Sequence, residues 1–168
     1  LFQRLMSQFT DELHEQLRLI ENQQPFAQFF EINEQQGTEC SGILLAQKQQ
    51  SLFYLNVPVM GKSLQDGFRG YISHEDTIQD FNGEVTCTKI SKLTNLPEIF
   101  VISLNRFEYD SLQRQMISKK NELTIPMVLS KSDLKPLLYD GNTAIDQYEL
   151  IAIVMHHGST PSVGDYTA

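Results

Sequence analysis

Leu96-Pro97-Glu98-Ile99-Phe100-Val101-Ile102-Ser103-Leu104-Asn105-Arg106-Phe107 carries the strongest strand signal in the chain. Pro97 opens it, and the nearly continuous apolar first half predicts a strand over Ile99–Phe107 that is buried on both faces. Arg106 falls inside it. A guanidinium withdrawn from water needs a partner, so Arg106 is expected to be a structural ion-pair residue rather than a reactive one.

Working outward, Val85-Thr86-Cys87-Thr88-Lys89-Ile90 alternates as a strand within 81–91. Tyr109 to Lys120 reads as a polar hairpin connection. Leu123 to Leu129 is a short strand, and Pro126 assigns it to a sheet edge. Asp133 to Leu138 is a single helical turn or tight turn, and Asp140-Gly141-Asn142 is a turn. Ser51 to Val59 predicts a strand ended by Gly61. Ser63 then caps a short helix whose face is Leu64, Phe68 and Tyr71. Phe26, Phe29, Phe30 and Ile32 form an apolar cluster of strand type. Glu34 to Gly42 is polar and turn-like, and Ile43 to Ala46 pairs back as a hairpin. The Gln pairs and the Gln47–Gln50 run read as solvated turns or helix ends. Residues 1 to about 22 carry an apolar stripe (Leu5, Phe9, Leu13, Leu17, Ile20) at helical spacing, closed by Pro25. Tyr148 to Met155 is a last apolar, strand-like run. It meets His156 and His157 and then a Gly/Ser/Thr/Pro loop, a common setting for chemistry.

The sum is an α+β fold in one domain: helix first, then strand after strand in an antiparallel sheet. No internal repeat and no linker interrupts it. The net charge of −8, from 21 acids against 13 bases, argues against a nucleic-acid surface, which needs clustered cations. No run approaches the roughly 18–20 apolar residues of a membrane helix, and no signal peptide is expected. Cys40 and Cys87 are the two cysteines. They are too few for a disulfide framework and read as buried, reduced side chains in a reducing, intracellular setting, cytoplasmic or nuclear.

Four segments, in order, resemble the ubiquitin-specific protease family of papain-like deubiquitinating enzymes. Residues Leu96 to Phe107 are similar to its LPxxLxIxLKRF strand, with Asn105 in the Lys place. Leu1 to Leu17, with Leu13-His14-Glu15, resembles its FLxxLLDxLHEEL helix. Phe53 to Leu64 resembles its FxxLxLPV…SLxEaL segment. Tyr148 to Ala168 resembles YxLxAVxxHxGxxxxGHYxA. The resemblance implies a papain-like fold with palm and fingers in antiparallel sheet and an N-terminal helix, residues 1–168 being part of one catalytic domain. It implies ubiquitin or ubiquitinated proteins as partners, and cleavage of the isopeptide bond after the C-terminal Gly of ubiquitin.

It also implies a catalytic set that this chain holds only in part. The nucleophile of the family's GNTCYxNS box and the downstream orienting Asp or Asn are absent from residues 1–168. The His of GHYxA, the general base, is replaced by Asp165, while Gly164, Tyr166, Thr167 and Ala168 keep the frame. A carboxylate with a reference pKa near 4 accepts a thiol proton poorly, and its charge disfavours a thiolate. This chain alone is therefore expected to be inactive, and a catalytically dead, ubiquitin-binding scaffold is the alternative for the whole protein. His156, Gly164 and Tyr166 are the expected ubiquitin contacts. His157 has no family counterpart, and strand alternation turns it away from His156. The fingers' zinc pairs are reduced to single Cys40 and Cys87, and two thiolates make no tetrahedral site, so neither metal nor other cofactor is expected.

Overall fold

The computed structural model describes residues 29–41, 43–80, 83–110, 112, 114–119, 121–141, 143–160 and 163–168. The helix expected over 1 to 22 lies outside these residues, as does Phe26.

A four-stranded antiparallel sheet has the order β2-β1-β5-β4. It consists of two hairpins, β1 (Ile32–Cys40) with β2 (Ile43–Leu52) and β4 (Ser73–Asp80) with β5 (Gly83–Leu93), joined by the pairing of β1 with β5. The stretch from Glu34, read above as a turn, is the middle of strand β1. Gln47 to Gln50, read as a solvated turn, belongs to β2 and stands opposite Glu34 to Gly37. Polar side chains do not prevent either, because the backbone groups of β1 are satisfied by ladders on both sides. Its side chains are mostly half-buried, with Ile32, Glu34 and Cys40 buried.

Cys40 and Cys87 correct the expectation of separate reduced thiols. They are register partners across β1 and β5, with Cα atoms 4.4 Å apart, and they form a disulfide. That separation is within the range a disulfide accepts without backbone movement.

The helix predicted after Ser63 forms as α1 (Leu64–Ile72). Its cap is reciprocal: Asp66 N–H donates to Ser63 Oγ at 3.2 Å, and Ser63 N–H donates to the Asp66 carboxylate at 3.1 Å. The Ser63 hydroxyl, then the Lys62 and Ser63 amides, hold the Asp66 carboxyl below its usual range. Gly67 lets α1 lie directly on β3 (Leu55–Pro58); a Cβ there would sit 2.6 Å from Val57 Cγ1 and 2.8 Å from the Pro58 carbonyl oxygen. β3 is shorter than the predicted Ser51–Val59 strand, because a bend at Phe53-Tyr54 separates it from β2. Its partner is β6 (Ile102–Asn105), in parallel. The core gathers Ile32, Leu55, Val57, Leu64, Phe68, Leu93, Leu129, Leu134, Leu137 and Leu138 between the sheet's base, α1 and the turns that follow Ser130.

The Ile99–Phe107 stretch differs from its expectation. Its regular part is β6, whose Ile102, Ser103 and Leu104 are half-buried, and Ile99 is exposed. The alternating side chains of β6 are thus half-buried rather than buried on both faces, and among the described residues it pairs with β3 alone. Arg106 interrupts it before β7 (Phe107–Asp110), which pairs with β8 (Gln115–Ser118) in the hairpin expected from Tyr109 onward. Arg106 Nη1 donates to the Asn121 carbonyl at 3.0 Å and to the Lys119 carbonyl at 3.5 Å. Arg106 ties down the segment that returns from β8, with carbonyl dipoles in place of the anticipated carboxylate.

β9 (Val128–Ser130) pairs with β10 (Gln147–Glu149), so the predicted Leu123–Leu129 strand is displaced toward its C-terminal end. The single turn predicted around Asp133 is α2 (Lys131–Leu134) followed by a 3-10 turn, Lys135–Leu137. The apolar run Tyr148 to Met155 does not form one strand. After β10 the chain from Leu150 to Val154 is irregular, and Ile151 is 83 % exposed. Leu150 N–H still donates to the Met127 carbonyl at 2.9 Å. Beyond it no strand pairs with the run among the described residues, and hydrophobicity without a neighbouring ladder does not make a strand. The chain then forms a further hairpin, β11 (Met155–Thr160) with β12 (Val163–Thr167).

Candidate functional site

The β11–β12 hairpin holds every candidate site residue read from the sequence. Its register pairs Met155 with Thr167, His156 with Tyr166 and His157 with Asp165, and shifts between His157 and Thr160. Strand alternation therefore divides the hairpin into two faces. On one face the His156 ring packs against Tyr166, with centroids 4.8 Å apart, and edge-on to Phe107 of β7 at 5.7 Å. Gly164 belongs to this packing: its φ of +147 and its closeness to β11 leave no room for a side chain, since a Cβ would lie 2.5 Å from the His157 carbonyl oxygen and 2.6 Å from His156 Nε2. His156, Gly164 and Tyr166 are thus brought together, and Tyr166 stays 40 % exposed.

Asp165 lies on the other face, exposed, opposite the equally exposed His157. His157 Nε2 is 2.9 Å from Thr167 Oγ1 on the same face. Sequence reasoning placed the two histidines on opposite faces, but it missed that the second faces Asp165. Finding that requires the register, which is set by the turn and by the shift before Thr160.

A second polar cluster was also missed. Glu34 is 2 % exposed. One of its carboxylate oxygens accepts the Tyr71 hydroxyl, and the other accepts Gln50 Nε2 at 2.6 Å and Gln36 Nε2 at 3.1 Å. Three donors replace the water that a buried carboxylate gives up. A polar cleft of about 400 Å³, lined by Asn33, Glu34, Gln49, Gln50, Ser51 and Thr94, opens beside it. Burial first, and then the Glu34 carboxylate, push the Tyr71 hydroxyl far above the ordinary phenol range. Burial alone does the same to Tyr148, whose hydroxyl donates to the Pro97 carbonyl.

These two shifts give a pH dependence. Both folded-state values are raised, so the stability they confer is complete below the unfolded phenol pKa of about 10. It is lost as the pH climbs above that value. In a spectrophotometric alkaline titration, Tyr71 and Tyr148 should form the late component, ionising as the fold opens. Tyr71→Phe or Tyr148→Phe should each remove a share of that component.

Among the described residues, no group of three or more His, Cys, Asp or Glu side chains could hold a metal ion. No helix among them is long and apolar enough to cross a membrane.

The family model for ubiquitin carboxyl-terminal hydrolase matches residues 1–168. The chain belongs to this family. Among curated members, this chain is 31 % identical over 105 residues to ubiquitin carboxyl-terminal hydrolase 24 of Arabidopsis thaliana, a match that covers 62 % of this chain and 18 % of the relative. It is 27 % identical over 127 residues to ubiquitin carboxyl-terminal hydrolase 10 of Rattus norvegicus, covering 70 % and 16 %. The chain thus spans less than a fifth of the length of these relatives. Its fold matches a chain of the SAGA Ubp8/Sgf11/Sus1/Sgf73 DUB module with a TM-score of 0.71 at 19 % identity, over 98 % of this chain and 41 % of that one. The fold is therefore the α+β protease fold that the ordered motifs implied, with its four-stranded sheet built from hairpins.

Proposed function

We propose that the whole protein is a cysteine-type deubiquitinase that hydrolyses the isopeptide bond after the C-terminal Gly of ubiquitin. In this reading residues 1–168 form the fingers and palm, and the end of the thumb, of its one catalytic domain. The observation that carries it is the ordered motif set, matched by the family model from residue 1 to residue 168. Ubiquitin or ubiquitinated proteins are the partners, with His156, Gly164 and Tyr166 shaping the hairpin surface against the ubiquitin tail. Residues 1–168 alone are inactive. Their two cysteines are spent on one disulfide, and a thiolate is the nucleophile this chemistry requires.

A ubiquitin probe carrying a thiol-reactive C-terminus tests the proposal. The full-length protein should be labelled and should hydrolyse a fluorogenic ubiquitin substrate, whereas residues 1–168 should do neither. Absence of labelling and turnover in the full-length protein, across ubiquitin substrates, would overturn it. Asp165 favours a second reading, a protease fold retained for binding ubiquitin without cleaving it. That reading predicts an inert wild type that gains hydrolysis on Asp165→His.

A further inference from the structure

We infer that His157 is the proton acceptor of this site and that Asp165, opposite it across the hairpin, positions it. The inference rests on the proposed cysteine-protease reading and identifies the residue that would do the work of a base there. Asp165 by itself is unsuited to that work: a carboxylate is a far weaker base than the thiolate it would have to generate. The hairpin supplies an imidazole close by. His157 and Asp165 are antiparallel register partners. Side chains in that relation share a face, with Cβ atoms about 4.5–5.5 Å apart.

The face also carries Thr167, whose hydroxyl lies 2.9 Å from His157 Nε2. The ring is therefore held across the hairpin to β12 rather than turned freely into solvent. His157 and Asp165 are both exposed, so a substrate and a thiol can reach them. His156 is excluded from the role because its ring is packed between Phe107 and Tyr166 on the other face. Gly164 brings the two strands close enough for this pairing, since any Cβ there would meet the His157 carbonyl oxygen.

The chemistry balances with a cysteine thiol supplied by the whole protein. The imidazole of His157 takes the thiol proton. The thiolate adds to the carbonyl carbon of the Gly–Lys amide, and the tetrahedral adduct collapses with cleavage of the C–N bond. The imidazolium returns its proton to the departing lysine amine, leaving a thioester. The imidazole then takes a proton from water, hydroxide adds to the thioester, and the thiol leaves with that proton. The Asp165 carboxylate stabilises the imidazolium in both halves, as a carboxylate does beside any catalytic histidine.

The test is steady-state hydrolysis of a fluorogenic ubiquitin substrate by full-length protein, with ubiquitin binding and circular dichroism confirming the fold of each variant. His157→Gln should lower kcat by about 10²- to 10⁴-fold, the usual contribution of a general base, with KM little changed. Asp165→Asn should lower kcat less. The double variant His157→Gln/Asp165→His, which moves the imidazole to the neighbouring position on the same face, should recover part of the lost kcat. A purely structural His157 would lower ubiquitin binding or the folded fraction together with kcat, whereas loss of the base lowers kcat alone. Unchanged kcat in His157→Gln against an active wild type would overturn the inference and leave the deubiquitinase reading standing. An inactive wild type would instead overturn both.

Discussion

Reduction of the Cys40–Cys87 disulfide should lower the stability of the protein by about 4 kcal/mol, the entropic value for a loop whose cysteines are 47 positions apart. The bond joins β1 to β5, the two central strands of the sheet, near the end remote from the α1 core. That end has little else to hold it. Ile43, Leu44 and Leu45 of β2 are exposed beside it, and the hydrophobic cluster lies at the other end, around Ile32 and Leu93. The covalent link therefore restricts the unfolded chain at a place where packing contributes little. Chemical denaturation with and without a thiol reductant measures the effect. Cys87→Ser should reproduce the reduced value in the absence of reductant, and the wild type should fall to it on reduction. Cys87 is 1 % exposed and Cys40 7 %, so reduction of the native protein should be slow and should speed up once denaturant opens the sheet. A reductant-independent midpoint would show that the two thiols do not bond in solution.

The same end of the sheet shows what the sequence could not reveal. α1 was legible because its information is local: Ser63 three residues before Asp66, then Leu64, Phe68 and Tyr71 on one face. β1 and β4 were not. Asn33 to Glu39, and Ser73 to Asp76, lack the alternation that identifies a half-buried strand. They are strands because neighbouring backbones pair with them, which is information from other parts of the chain. The opposite error occurred at Leu150 to Val154, where the composition suggests a strand but none of the described residues supplies a ladder. For the site, the motif frame was enough to single out Asp165, because Gly164 and Tyr166 flank it. The partner of Asp165 was hidden, since whether His156 or His157 faces it depends on a register shift beyond His157. Slipping that register by one residue would exchange the two histidines between faces. Glu34 was unreadable for a related reason: its three donors come from Gln36, Gln50 and Tyr71, and two of those three sit on other elements.

Phe68→Ala should cost about 3–5 kcal/mol, the usual range for a buried aromatic truncated to Ala. Phe68 is the largest of the fully buried side chains among the described residues, at 2 % exposure. It sits on α1 beside Gly67, which has already brought the helix as close to Val57 and Pro58 as backbone allows. That closeness decides the size of the effect. α1 cannot move nearer to β3 to fill the space, so most of the cavity left by the ring persists, and persistent cavity volume is what raises the cost of such substitutions. Phe68→Leu keeps much of the volume and should cost markedly less. The loss should reach beyond the helix. α1 packs on β3, and β3 is the described pairing partner of β6, the strand that leads through Arg106 into β7 and so to Phe107 beneath His156. With total stabilities of about 5–15 kcal/mol for ordinary domains, Phe68→Ala should leave little margin. Denaturant titration should show an early midpoint, and ubiquitin binding or turnover should fall with the folded fraction rather than through any change in the hairpin itself. A midpoint within the range of conservative surface substitutions would mean that α1 can shift into the space, and that Gly67 does not hold it where the contacts with Val57 and Pro58 indicate.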